Sequence, residues 1–431
     1  MTESAKALFP QSAMSIPRPT DWTRHRKLAE EKIHVSPLPT TDQEDWKYLD
    51  LSPVYSQAFN QIWSDASLSQ APVEDLAAET AGGRLLFTNG RFDSDLSDIS
   101  ALRGGIYFSQ LTETAPHVIK YFGNLATPDS SDLFANINTA RFGDGAAIYV
   151  SKGQSPEIPL HVVFNSNNIG TDGQSITFPR VLIVLEPDAR AHLVEEYCGS
   201  GKYLTNSVVE VFLGEGASLR HDRIQRESPA AFHFCTLRAN IAKSASYTST
   251  TISLGAAIYR HNPKITFAGE HAELELNGLT LINAEQIADT HSLIDHAVSN
   301  CASRQLQKYI IGDSAHGIFN GQVIVRPGAQ RTNAGQSSRG LLLTERARID
   351  TKPQLEIYAD DVKCGHGATI GQLDADELFY LQSRGLDLNS ARNLLLVGFA
   401  ADVINHLALP CLRHRLLHHV IHKDQSLYPN S

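Results

Sequence analysis

From about residue 130 to 373 the chain reads as short strands joined by turns, and this stretch constrains the fold more than anything else. Runs such as "VLIVLE", "NSVVEVFL", "ELELNGLTL", "GQVIVR" and "LEIYA" are four to nine residues long, rich in β-branched residues, and separated by glycine, aspartate or asparagine. Helix-length apolar patterns are nearly absent there, which disfavours a fold of alternating strands and helices. A quasi-repeat runs through the stretch: a small or polar turn, an alanine, then a strand. The alanines fall at 189, 217, 245, 272, 315, 329, 347 and 368, with first gaps of 28, 28 and 27. Such gaps suit the coils of a β-helix, with small side chains at the corners and an apolar interior stacked coil on coil. A large β-sandwich is the competing fold, because turn-and-strand counting alone does not separate the two.

Helical patterns flank this core, so the expected organisation is a mainly helical segment at 1–125, a β-helix at 126–373 and a helical segment at 374–431. "DWTRHRKLAEEKIH" at 21–34 reads as a helix stopped by Pro37 and Pro39, and two short helices are expected at 53–65 and 72–82. Near the C-terminus, "DADELFYLQSRGL" opens on aspartates and closes at Gly385, and "NSARNLLLVGFAADVINHL" and "LRHRLLHHVIHK" follow. The apolar stretch at 394–409 contains Asp402, Asn405 and His406, so a packed helix is expected rather than a membrane span. A net charge of −10 without long basic runs disfavours a nucleic-acid partner. Five widely spaced cysteines, at 198, 235, 301, 364 and 411, argue for reduced thiols in a cytosol-like compartment, and no secretory signal is read at the N-terminus.

Searches for established chemistry narrow the field. No GxxxxGK[ST] phosphate loop, HExxH, GxSxG or CxxC occurs. A carbohydrate-processing β-helix would need paired carboxylates in a groove, and no such pair is evident. His414, His418 and His422 share a helical face, where three imidazoles suit a metal, although a solvated cationic face is the simpler reading. His291, His296, Cys301 and His316, beside Asp289, Asp295 and Asp313, would form a polar strip for another subunit if they point outward. The sharpest feature is "YADDVKCGHGATIGQLD" at 358–374. In an extended chain Cys364 and His366 lie on one face, so a thiol and an imidazole converge. That pair suits a soft or borderline metal or thiol chemistry, and equally suits packing.

"DDVKCGHGATIGQLD", "ELFYLQSRGL", "LLLTERARIDTKPQLEIYADD" and "GQVIVRPGAQRTNA", with "EDWKYLDL" near the N-terminus, together resemble the SufB/SufD family of iron–sulfur cluster assembly proteins, and within it the SufD branch. The resemblance implies a right-handed parallel β-helix between helical domains, acting as a scaffold without catalysis of its own. It implies a SufB-like partner docked through the β-helix and a SufC-like ATPase bound by the C-terminal helices, with a homodimer when the chain is isolated. It also implies no permanently bound cofactor, a cytoplasmic location, and a transient iron or nascent cluster at the SufB-facing surface, where His366 and Cys364 match the family's positions. Gly365 stands where the family usually carries a hydroxyl residue, on the opposite strand face. The rival expectation is a purely architectural subunit in which Cys364 and His366 only pack the interface.

Overall fold

A computed structural model describes residues 20–60, 80–128, 132–167 and 174–427, with side chains described from 22 to 420 within those ranges. The core is a parallel β-solenoid. From Arg180–Leu185 onward, strands alternate along the chain between an 11-stranded and a 10-stranded sheet, so each of these coils contributes one strand to each. The first sheet runs from Ile106–Gln110 and Ala146–Val150 to Arg348–Ile357. The second runs from Arg84–Thr88 and Leu160–Asn167 to Lys363–Gly371. Four strands from before residue 126 thus join the sheets: Phe59–Asn60, Arg84–Thr88, Arg91–Phe92 and Ile106–Gln110. Pairing is parallel apart from the Ile106–Gln110 and Arg91–Phe92 strands at the first end.

The repeat resolves into two corners per coil rather than one. In register on the second sheet lie Arg190, Ser218, Ser246, Glu273, Ala302, Asn333 and Lys363. The residues just before them, Ala189, Ala217, Ala245, Ala272, Cys301 and Thr332, form one corner column, all buried. Each of their carbonyls accepts a hydrogen bond from the next coil at 2.8–3.0 Å, as from Ser218 N to Ala189 O and Lys363 N to Thr332 O. The position before each of them has positive φ, at Asp188, Gly216, Ser244, His271, Asn300 and Arg331. The chain reverses tightly there, and short polar residues or glycine tolerate that backbone best. Ala315 and Ala347 belong to the opposite corner, Ala329 to a turn, and Ala368 to the middle of the last strand. Both corners demand a small residue, so the eight alanines do not form a single periodic series.

Helices cover the outer faces. On the first sheet, the helix Leu133–Arg141, capped by Asp132, lays Phe134 flat on Phe234 at 4.0 Å between ring centroids. The expected helix at 21–34 is observed as Thr20–Val35, whose Trp22 packs between Phe122 and Phe142. Of the short helices, only Ser52–Tyr55 falls among the described residues. Residues 56–60 form a turn and the short strand Phe59–Asn60, so the expected helix over 53–65 stops early, and 61–65 and nearly all of 72–82 lie outside the described residues. On the second sheet, Leu396, Ala400, Val403, Ile404, Leu412 and Leu416 of the helices Leu388–Ile404 and Pro410–Leu427 bury Val194, Ile224, Ile252, Leu279 and Leu281. The stretch at 394–409 is thus a packed helix and its exit turn, and no described helix is long and apolar enough to cross a membrane. The helix Ala375–Ser383 differs from these. Asp374 caps it and Gly385, at φ 95°, follows its end, yet it buries no residue.

Candidate functional site

Strand direction determines what lies inside the solenoid. On the second sheet Leu193, Tyr197, Leu219, Tyr247, Leu274 and Leu276 face the interior cluster, while Val194, Ile224, Leu279 and Ile310 face the helices. Carried along the register, the inward rule places Cys364 above Ala334 and His366 above Gln336, both at the mouth of the interior. The structure therefore puts the two on one face of Lys363–Gly371, with Cys364 half-buried against the core and His366 exposed. Gly365 lies on the other face, where an added Cβ would meet nothing within 4 Å.

This last coil is an open end. Among the described residues, Arg348–Ile357 and Lys363–Gly371 each pair with a strand on one side only, leaving two rows of backbone groups unpaired. Apolar residues of the coil lie uncovered, with Tyr358 59% and Ile370 49% exposed and Ile357 also exposed. Burial pushes the Cys364 thiol pKa up, only partly offset by a backbone hydrogen bond at Ala334. The thiol is therefore protonated at neutral pH, and coordination would have to displace that proton. The pair offers one imidazole and one thiol. A simple iron–sulfur cluster takes four protein ligands, so further donors would have to come from outside this chain.

Other histidines fall elsewhere. His291 lies on the outer face of the first sheet beside Arg260 and Asp45, and His316 beside Asp350 on the same face. His296 points inward and stacks on Phe267 at 4.4 Å, and Cys301 fills a corner. The four do not form one outward strip, because alternation sends His296 inside and the corner takes Cys301. Among the described residues no group of three or more His, Cys, Asp or Glu is arranged to hold a metal ion, and the side chain of His422 lies outside them.

The interior holds a charged centre that the sequence reading missed. Arg223 donates to Glu195 Oε1 from Nε at 3.1 Å and from Nη2 at 2.9 Å. It also donates to His261 Nε2 at 2.7 Å and to Cys235 Sγ at 3.0 Å. His221 Nε2 lies 3.0 Å from Glu195, and His233 pairs with Glu227. Burial opposes ionisation of Glu195, yet Arg223 and His221 hold its carboxyl well below the usual range. Burial and Arg223 together keep His261 neutral, in keeping with its role as an acceptor. The only sequence signal was a period-two series of polar residues in "SLRHDRIQR" and "FHFCT" on faces that should be apolar.

The sequence matches two family descriptions: "SUF system FeS cluster assembly, SufBD core domain" over residues 167–399 and "SufBD protein N-terminal region" over 6–162. An iron–sulfur cluster assembly SufBD family protein of Synechocystis is 34% identical over 424 residues, covering 95% of this chain and 93% of that protein. A chloroplastic protein of Arabidopsis thaliana, ABCI7, is 34% identical over 92% of this chain and 85% of its own length. The iron–sulfur cluster assembly protein SufD of Escherichia coli is 30% identical over 88% of each chain. Matches of this extent, on a parallel solenoid flanked by helices, place the chain in the SufBD family of iron–sulfur cluster assembly proteins.

Proposed function

We propose that the chain is a SufD-type scaffold subunit whose open coil docks a SufB-like solenoid and whose C-terminal helices bind a SufC-like ATPase, the three forming a cytoplasmic assembly complex. The observation that carries this reading is the last coil. Solenoids need a polar cap to end in water, and here the last coil instead presents Ile357, Tyr358 and Ile370 around Cys364 and His366. A second solenoid stacked on those strands would pair the free backbone groups and cover the apolar rim. Iron or a nascent cluster then passes through this interface as cargo, with His366 as one donor, Cys364 as a supporting one, and the remaining donors from the partner. Energy from ATP would have to be supplied in trans, given the missing phosphate loop.

The ATPase surface is assigned to the helix Ala375–Ser383, which buries nothing yet exposes Phe379 at 72% and Tyr380 at 57%. Aromatic residues in that state suit a partner's groove. The test is co-purification. Ile370→Asp is expected to abolish association with the SufB-like subunit, and Phe379→Asp association with the SufC-like subunit, while far-UV circular dichroism stays unchanged. Stoichiometric binding by either variant would refute the corresponding surface. A homodimer of the isolated chain that Ile370→Asp also disrupts would place self-association on the same coil.

A further inference from the structure

The solenoid interior is not uniformly apolar. Along one corner it carries Val211, Leu213, Ala239, Ile241, Ile265, Phe267, Val323 and Val325, all buried. Between the corners two columns of the second sheet are largely polar. Register gives one as Arg223, Thr251, Gly278, Gln307, Ser338 and Ala368, and the other as His221, Ser249, Leu276, Gln305, Gln336 and His366. Successive members sit one rung apart, about 4.8 Å. Gln336 Nε2 donates to Gln305 Oε1 at 2.9 Å and Gln305 Nε2 to Ser292 Oγ at 2.8 Å, so the side chains link coil to coil.

Glycines make room for this arrangement. A Cβ on Gly278 would fall 2.0 Å from Gln307 Oε1, and one on Gly321 2.3 Å from Gln336 Nε2. Four groups in the columns are more than nine-tenths buried yet lack a hydrogen-bond partner within the protein: Ser249 Oγ, Thr251 Oγ1, Gln336 Oε1 and Ser338 Oγ. Leaving each dry would cost more than a methyl or a leucine in the same place. Beside Thr251, His261, Thr290 and Gln307 lies a cavity with about 10 Å³ of space for the centre of a water molecule. That is close to the minimum for one water, and its walls supply the two to four polar partners a buried water needs.

We propose that the interior is a binding file for ordered water, beginning at the cavity beside His261 and running past Gln305, Gln336 and Ser338 to the open coil at His366. Water in the file satisfies Thr251 Oγ1, Gln336 Oε1 and Ser338 Oγ, and His366 is backed by an aqueous column instead of a sealed core. The file belongs to the single chain and does not depend on a partner docked at the coil.

Oxygen-17 magnetic relaxation dispersion on the full purified chain counts long-lived internal waters. Thr251→Val and Ser338→Ala each remove a hydroxyl at nearly constant shape. The file predicts that each variant loses dispersion amplitude equivalent to about one water. Unchanged amplitude in both variants overturns it. Should both variants fail to fold, a crystal structure of the wild-type chain at water-resolving resolution decides. Density within hydrogen-bond distance of Thr251 Oγ1, Gln336 Oε1 and Ser338 Oγ supports the file, and its absence at all three overturns it.

Discussion

Arg223 is joined to Glu195, His261 and Cys235 in an interior almost shut off from water, and such a group stabilises only while its partners remain. Arg223→Met leaves Glu195 charged and underpaired, and should cost about 3–5 kcal/mol in urea unfolding. Adding Glu195→Gln should recover part of that loss, and a double variant no better than the single would contradict the pairing. Two other buried groups shape the acid and alkaline ends of the stability profile. Burial opposes the charge on Glu196, but His161 and Arg226 hold its carboxyl at about 2 against an ordinary 4.5. Its contribution is present above pH 4.5 and lost as pH falls toward 2. Burial likewise opposes the charge on His233, but Glu227 raises it to about 9 from 6.5, so its contribution is present below 6.5 and lost as pH rises through 9. These two contributions are both complete only between about pH 4.5 and 6.5. In that window His291 and His296, lowered by burial to about 4, make stability rise with pH, and Asp144, raised by burial to about 6, makes it fall. His233→Asn should flatten the alkaline limb of the urea midpoint, and an unchanged limb would remove His233 as its cause. At this scale the sequence was legible only where partners are near in the chain. Cys364 and His366 are two residues apart and their shared face follows from strand alternation, whereas Glu195, Arg223 and His261 meet only through coil register.

The strands are longer than the apolar runs that announce them. "GQVIVR" marks only the end of His316–Val325, and "LEIYA" the end of Arg348–Ile357. Their first halves, "HGIFN" and "RIDTKPQ", carry no apolar run. The pair Ile318 and Phe319 stands alone between polar or glycine residues and enters different clusters on opposite faces, and Arg348–Ile357 is only half-buried on the open coil. Corners were legible as small residues, and their division into two columns was not, because both ask for the same kind of side chain. Close coil-to-coil fit gives an element-scale prediction. Gly278→Ala drives a methyl into Gln307 and should cost about 1–3 kcal/mol. The cost should shrink in a Gln307→Ala background, since all three nearest atoms belong to that side chain. Additive losses in the double-mutant cycle would show that the strain lies elsewhere.

Taken whole, the molecule is a solenoid closed along its sides and open at its last coil. The helices Leu388–Ile404 and Pro410–Leu427 complete the core, so they are more than an appendage for docking. Deleting residues 388–431 should uncover Val194, Ile224, Leu279 and Leu281 and yield aggregate in size-exclusion chromatography. A soluble, monodisperse truncated chain would contradict that dependence. The fold class was readable from sequence because strand and turn chemistry repeats, and the open end was not, because exposure of a last coil is a property of the assembled stack. The central claim is that this end carries cargo between subunits, with His366 as a donor. It is tested most directly by reconstituting the complex of this chain with SufB-like and SufC-like subunits and measuring iron, acid-labile sulfide and visible absorption for wild type and His366→Ala, with complex mass checked by native mass spectrometry. The account predicts an intact complex in which His366→Ala assembles roughly 10-fold less cluster, a loss typical for disturbing a metal site. An intact variant complex with wild-type iron and sulfide would contradict it, and a variant complex that falls apart would show instead that His366 holds the interface together by packing.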